Sequence, residues 1–481
     1  MILTVTGRTG GKATLPCEYD QNFDAAQIST HRQPSGIVAP YQHPPGVLPD
    51  QMMTTAAARP LNSRDIRTLS LSALGGALEF YDFVVFVFFT AVLSALFFPP
   101  EMPDWLRQAQ TFGIFAAGYL ARPLGGIIIA HFGDLLGRKR MFTLSLLLMS
   151  LPTLAMGLLP TYAQIGIAAP LLLLALRILQ GAAIGGEIPG AWVFVAEHAP
   201  SNRTGIAVGS LTAGLTGGIL LGSLIAAATH RHFTPEQVHD FGWRLPFILG
   251  GIFGLVSVYL RRYLEETPVF REMQAERQLA TELPVKTILR QHTGRVLLSM
   301  LFTWVLSAAI VVVILFTPTY LQKQFAISHA DALTASSVAT LSLTLGCLLF
   351  GWLSDRIGVR LALALGCFGL LGSSLWFYHG LPAAGWQTAY MITAFFVGVV
   401  GAIPYVLVRA FPPALRFSGL SFSYNVAYAI FGGLTPVMLS LWLKSDALAP
   451  SHYVAALALL GMVLALTTRL LPAPQAARTT R

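Results

Sequence analysis

Five ionisable side chains stand where lipid-facing or core residues would be expected. Glu79 and Asp82 lie three residues apart within the apolar stretch ALEFYDF, and Arg122, Arg177 and Glu187 interrupt other apolar runs. A charge at the centre of a bilayer costs ~2.5–3.5 kcal/mol, so each should face a protein interior or a water-filled cavity with a partner nearby. A buried carboxylate resists ionisation and a neighbouring guanidinium restores it, so a ligand competing for that guanidinium would drive proton uptake. A planar guanidinium also pairs a carboxylate through two parallel hydrogen bonds. These residues therefore suit proton exchange at Glu79, Asp82 and Glu187 and anion binding at Arg122 and then Arg177. The competing reading is permanent ion pairing, Glu79 or Asp82 with Arg122 and Glu187 with Arg177 or a helix end.

The elements that must hold these groups are membrane helices. Of 481 residues 54% are hydrophobic and 11% charged, with mean hydropathy +0.63, whereas soluble domains carry about 25% charged residues. Apolar segments of about 20 residues recur, enough to cross a core of ~30 Å. Twelve spans are predicted near 69–98, 109–132, 139–159, 164–197, 204–229, 243–263, 293–321, 329–353, 360–379, 385–410, 416–443 and 452–472. A charged stretch, 264–292, separates two halves, 69–263 and 293–472, and the tails are 1–68 and 473–481. Residues 1–51 are Pro-, Gly- and Gln-rich and read either as a disordered tail or as an over-extended start, with Met52 or Met53 the true beginning. The spacing puts Glu79, Arg122 and Glu187 at a common depth, about 15–18 Å from one face. Asp82 lies one turn further out and Arg177 further again.

Lys and Arg number 21 in the flanking tails and even-numbered loops and five in the opposite loops, which predicts both termini in the cytoplasm of an inner or plasma membrane protein. The net charge of +9 is accounted for by this asymmetry and calls for no nucleic acid. Three cysteines, two of them in predicted spans, build no disulfide framework, and no metal site or cofactor is expected. Walker A, G-x-S-x-G, H-E-x-x-H and C-x-x-C patterns are missing, which points away from an ATP-driven pump and the common enzyme chemistries.

An internal repeat links the halves. AHFGDLLGRKR follows span 2 and GWLSDRIGVR follows span 8, each reading small-x-x-x-Asp-x-x-Gly-x-basic. With these loops the chain resembles the major facilitator superfamily, and EFYDF, ARPLGG, RILQGAAIGGEIPG, GWRLPF, RRYLEETPVF and GLSFSYNVAYAIFGG make it similar to the metabolite–proton symporter branch. The resemblance implies an all-α fold of two six-helix halves, a monomer, alternating access, and a small-molecule substrate moved together with protons. It also implies a gating motif at Asp134, Gly137 and Arg138, and again at Gly351, Asp355, Arg356, Gly358 and Arg360. The second copy matches the family loop in full; the first has Ala130 for the leading Gly and Leu135 for the basic residue. In the second half Tyr424 and Asn425 are candidate cavity-lining residues.

The leading expectation is proton-coupled symport of a small mono-, di- or tricarboxylate. The alternative is the same machine carrying a zwitterionic osmolyte or amino acid, ranked second because the tail after span 12 is too short for a long heptad helix. A non-transporting metabolite sensor is the remote alternative, with no added cytoplasmic domain to serve it.

Overall fold

The computed structural model describes residues 59–136, 138–261 and 284–468. Among these residues all regular structure is helical. We number the long helices α1 (Ser63–Phe88), α2 (Asp104–Leu136), α3 (Arg138–Leu158), α4 (Ala168–His198), α5 (Thr204–His232) and α6 (Arg244–Arg261) in the first half. The second half has α7 (Thr293–Gln322), α8 (His329–Arg356), α9 (Val359–His379), α10 (Trp386–Arg409), α11 (Arg416–Trp442) and α12 (Ala449–Thr467). Nine of these are long and apolar enough to cross a membrane among the described residues, and α6 makes a tenth with the bent Pro235–Gly242 segment before it. The apolar parts of α2 and α3 described here are shorter, Gly113–Ile129 and Thr143–Leu158. Outward faces carry exposed Leu, Ile and Val, such as Leu120, Leu179, Leu361 and Val463, as lipid-facing helices do.

Two departures from a plain span pattern are visible. The first span breaks at Phe89, and Thr90–Phe97 continues as a separate short helix. The segment between the halves ends in a helix of its own, Pro284–Gln291; the rest of 264–292 up to residue 283 lies outside the described residues, as does the 1–51 tail.

Glycines set the close approaches. A Cβ on Gly125 of α2 would fall 1.9 Å from the Ala182 carbonyl oxygen of α4, and one on Gly181 of α4 would fall 2.0 Å from that of Gly118. The second half repeats the device: a Cβ on Gly346 of α8 would fall 2.2 Å from the Phe395 oxygen of α10. Small residues let membrane helices pack backbone to backbone where lipid supplies no hydrophobic drive between them. Three helices of the second half leave α geometry. α7 is π-helical over Val311–Phe316, α10 is 3-10 over Gly398–Ala402 and α11 is π-helical over Tyr428–Gly432. Irregular turns of this kind concentrate at functional sites.

The halves meet along two helix pairs, α5 with α8 and α2 with α11. On the first, Thr216 and Thr344 share a hydrogen bond of 3.0 Å and Ser223 and Ser337 one of 3.2 Å. On the second, Ser421 donates to the Gly126 oxygen at 3.0 Å and to the Gly185 oxygen of α4 at 3.2 Å.

Candidate functional site

Asp82 follows from the register of α1. It is fully buried, and neither carboxylate oxygen has a hydrogen-bond partner among the described residues. The carboxylate points at α6 through a slot kept open by glycine. A Cβ at Gly250 would lie 2.5 Å from Oδ1, and one at Gly254 would lie 3.2 Å from Oδ2 and 1.8 Å from the Ser150 hydroxyl of α3. The same Gly250 point is 3.0 Å from the Thr153 methyl, so Thr153 borders the carboxylate. A polar relay leads away from it. Thr153 accepts from the Gln180 amide at 2.7 Å, and Gln180 accepts through Oε1 from Arg177. The Gln180 amide also reaches the Asp82 carbonyl oxygen at 3.3 Å.

Arg177 is thus pinned. Besides Gln180 it donates to the Phe83 carbonyl oxygen at 3.3 Å, and its guanidinium carbon lies 4.1 Å from the centre of the Phe83 ring and 4.6 Å from that of Phe86. Arg122 is held differently. It is fully buried, and none of its three guanidinium nitrogens has a hydrogen-bond partner among the described residues. Three aromatic faces surround it: Phe83 at 4.8 Å, Tyr119 at 4.8 Å and Tyr428 at 4.6 Å. Each such contact contributes ~0.5–2 kcal/mol, which offsets part of the cost of burying five unmade donors. Pro123 follows immediately and lacks the amide that would bond the Tyr119 carbonyl, loosening α2 at this point. Tyr119 and Tyr428 stack across the two halves, 5.7 Å apart and 11° from parallel. Gly432 leaves room for that ring, since a Cβ there would lie 2.7 Å from the Tyr428 Cδ1.

The charged residues therefore do not share one contact. Phe83 touches both guanidinium groups, whereas its neighbour Asp82 faces α3 and α6. No ion pair joins Asp82 to either arginine among the described residues. Glu187 is buried on α4 and accepts from the Ser145 hydroxyl of α3. Glu79 falls within α1, but its side chain lies outside the described residues.

In the second half Asn425 does not face an open space. Its amide donates to the Gly185 oxygen at 2.6 Å, tying α11 to α4. Tyr424 packs edge-on to Trp192 of α4 at 5.1 Å and against Tyr428 at 5.2 Å, so it joins the aromatic wall. A cavity of 310 Å³ lies elsewhere, between α7 and the end of α11, lined by Phe316, Tyr320, Gln324, Ser440 and Lys444 among others.

Of the loop motifs, the first copy is outside reach: Gly137 and the side chains of Asp134 and Arg138 lie outside the described residues. In the second, Asp355 caps a helix of the other half, accepting from the Gly205 amide at 2.7 Å and the Ile206 amide at 2.8 Å at the start of α5. Gly351 makes this possible, because a Cβ there would lie 2.8 Å from the Gly205 oxygen. Gly358 adopts φ +87°, a conformation that favours glycine, and lets the chain turn into α9. Arg356 lies exposed over Trp352 at 5.3 Å, and Arg360 is half-buried. Close by, Arg416 of α11 pairs with Glu197 of α4 at 2.9 Å, a second bridge between the halves.

Sequence reasoning missed Phe83, Tyr119 and Tyr428 as partners of Arg122. Aromatic residues are so common in apolar helices that only their convergence in three dimensions marks them. It also missed Gln180 and Thr153, whose spacing carries no signal by itself.

The arrangement is that of a two-half membrane transport protein with buried charge at the contact between its halves. The profile of the Major Facilitator Superfamily matches residues 83–436, and the chain belongs to that family. It is 34% identical over 407 residues to a putative proline/betaine transporter of Staphylococcus aureus (strain COL), covering 82% of this chain and 86% of the relative. To the proline/betaine transporter of Salmonella typhimurium it is 30% identical, covering 82% of each. Among solved structures it is similar to the proton:xylose symporter XylE, with TM-score 0.70 and 17% identity over 85% of this chain and 96% of that one.

Proposed function

We propose that the chain is a proton-coupled symporter of a zwitterionic osmolyte or amino acid of the proline and betaine type, working by alternating access between its two halves. The observation that carries this reading is the identity of about a third, over most of both chains, to transporters named for proline and betaine. It displaces the carboxylate reading as the first choice. A zwitterion has one carboxylate, which suits the one guanidinium at the inter-half contact whose nitrogens make no hydrogen bond among the described residues, Arg122. A di- or tricarboxylate would ask for two or three such cations, and a monocarboxylate is set behind the zwitterion by the relatives' names alone. Asp82, buried beside the Arg177–Gln180–Thr153 relay, is the proton carrier of choice in this reading, with Glu79 and Glu187 as further carboxylates. Asp355 and the Glu197–Arg416 pair hold the halves together at one end of the molecule and part when access switches. That end is the cytoplasmic one if both termini are cytoplasmic, as the basic-residue asymmetry indicates.

The test is uptake into proteoliposomes of purified full-length protein under an imposed inward proton gradient. Radiolabelled glycine betaine and proline should accumulate, and each should compete with the other. Accumulation of succinate or citrate, with no betaine or proline uptake, would overturn the reading.

A further inference from the structure

Two buried guanidinium groups share the ring of Phe83, yet only one is fixed. Arg177 is tied to Gln180 and to the Phe83 carbonyl, and it stays with the first half. Arg122 lies 4.6–4.8 Å from three ring centres, with the Tyr428 side chain as its polar neighbour. Its hydrogen-bonding capacity is unspent among the described residues, although it is fully buried. A compact cation enclosed by aromatic faces is also the way proteins hold quaternary ammonium groups. Two of the faces are near-parallel and come from opposite halves, Tyr119 from α2 and Tyr428 from the π-helical turn of α11. The cage therefore exists in this form only while α2 and α11 are together.

We infer that the Phe83–Tyr119–Tyr428 cage is the seat of the ligand's quaternary or secondary ammonium group, and that the Arg122 guanidinium occupies it in the ligand-free protein as an internal stand-in. The arriving zwitterion takes the aromatic faces with its cation and pairs the displaced Arg122 through its carboxylate. No covalent bond changes; one cation replaces another on the rings, and the guanidinium gains the charge-assisted hydrogen bonds it lacks. The exchange deepens the zwitterion reading and rests on it. It also supplies selectivity. An anion lacking the positive group could pair Arg122 only by leaving the cage empty, and a cation lacking the carboxylate would have to displace Arg122 without compensation.

The experiment measures equilibrium binding of three probes to purified full-length protein in detergent: glycine betaine, tetramethylammonium, and 3,3-dimethylbutyrate, the neutral-headed isostere of betaine. The proteins are wild type, Arg122→Gln, and Tyr428→Leu, with thermal unfolding to establish that each is folded. Arg122→Gln should weaken betaine by about tenfold or more and strengthen tetramethylammonium by a similar factor, because the internal competitor is gone. Tyr428→Leu should lower the preference for betaine over dimethylbutyrate about tenfold, because the ring it removes holds Arg122 in the free protein and the ligand's cation in the bound one. Opposite shifts for betaine and tetramethylammonium in Arg122→Gln support the exchange; a merely structural role would weaken both. Tetramethylammonium affinity that is unchanged or lower in folded Arg122→Gln overturns it. If Arg122→Gln does not fold, Tyr428→Leu decides: an unchanged preference for betaine over dimethylbutyrate overturns the cage. The two readings fail separately. Betaine uptake with an unchanged preference over dimethylbutyrate in Tyr428→Leu sinks the cage and keeps the transporter class, whereas a tetramethylammonium gain in Arg122→Gln without betaine or proline binding keeps the cage and sinks the substrate.

Discussion

The two halves solve the same packing problem with different chemistry. Gly125 of α2 abuts the Ala182 carbonyl of α4, and Gly346 of α8 abuts the Phe395 carbonyl of α10. Those contacts, with the repeated loops Asp134 and Asp355, align the halves residue by residue. Leu343 then stands where Arg122 stands, Tyr390 where Arg177 does, Thr393 for Gln180 and Val400 for Glu187. The geometry persists where the charge does not. Arg177 donates to the Phe83 carbonyl of α1, and Tyr390 donates through its hydroxyl to the Val313 carbonyl of α7 at 2.7 Å. Gln180 reaches Thr153 of α3, and Thr393 reaches the Ser373 carbonyl of α9 at 2.9 Å. One scaffold thus carries titratable and cationic groups in the first half and neutral hydroxyls and aliphatics in the second. Irregular turns occur in both halves, as a π segment at Val238–Gly242 before α6 and as the π and 3-10 turns of α7, α10 and α11. At the aligned positions the ionisable groups belong to the first half, and Tyr119 and Tyr428 bring the two halves together beside Arg122.

Substitutions at aligned positions break or sharpen this comparison. The largest effect should be shared. Gly125→Val and Gly346→Val each drive a side chain into a backbone carbonyl, and both should cost upwards of ~3 kcal/mol. Loss of monodisperse protein on size exclusion would register it, and tolerance in one half alone would show that the packing alignment is wrong. Next comes the pair that should differ in kind. Arg122→Gln should cut transport by about 100-fold with the fold retained, as loss of a charged hydrogen-bonding partner does. Leu343→Ala should lower stability by about 2–5 kcal/mol through its cavity, visible as a fall in Tm, and leave the KM for betaine unchanged. Smaller again is Tyr390→Phe, which removes one buried hydrogen bond and should cost ~1 kcal/mol with no change in substrate selectivity. Smallest is the cap of α12, outside the membrane. There Asp446 is held below the usual aspartate range by the Leu448 amide and then by His452. Its folded-state affinity for protons is depressed, so its contribution is present above the ordinary aspartate range and fades as pH falls through the folded value. Asp446→Ala should therefore flatten the acid limb of the Tm profile slightly and change nothing at neutral pH beyond loss of the cap.

Much of the architecture was legible before any coordinates. Apolar run length locates most of the helices because hydropathy is a bulk property of a segment. The repeated Asp-x-x-Gly loops declare two halves, and Asp355 does bridge them. The cost of burying charge singled out Asp82, Arg122, Arg177 and Glu187, all of which are buried. Their partners were not legible. Asp82 and Phe83 are adjacent in sequence yet point to different neighbours, since one residue along a helix turns the side chain by about 100°. Depth along the membrane can be counted from sequence, but azimuth around each helix depends on which helices pack together. For the same reason Asn425, expected to line a cavity, instead bonds the Gly185 carbonyl. Carboxylates led over zwitterions on the criterion of a long heptad helix, which says nothing about the cargo site, and the relatives named for proline and betaine reverse that order.

The division between the halves is tested most directly by comparing two transport modes in one Asp82→Asn preparation. Betaine accumulation driven by an imposed proton gradient should be abolished, while betaine exchange across the same proteoliposomes with no gradient should continue at a rate near wild type. Gradient-driven accumulation equal to wild type in Asp82→Asn would contradict the placement of proton exchange at this carboxylate in the first half.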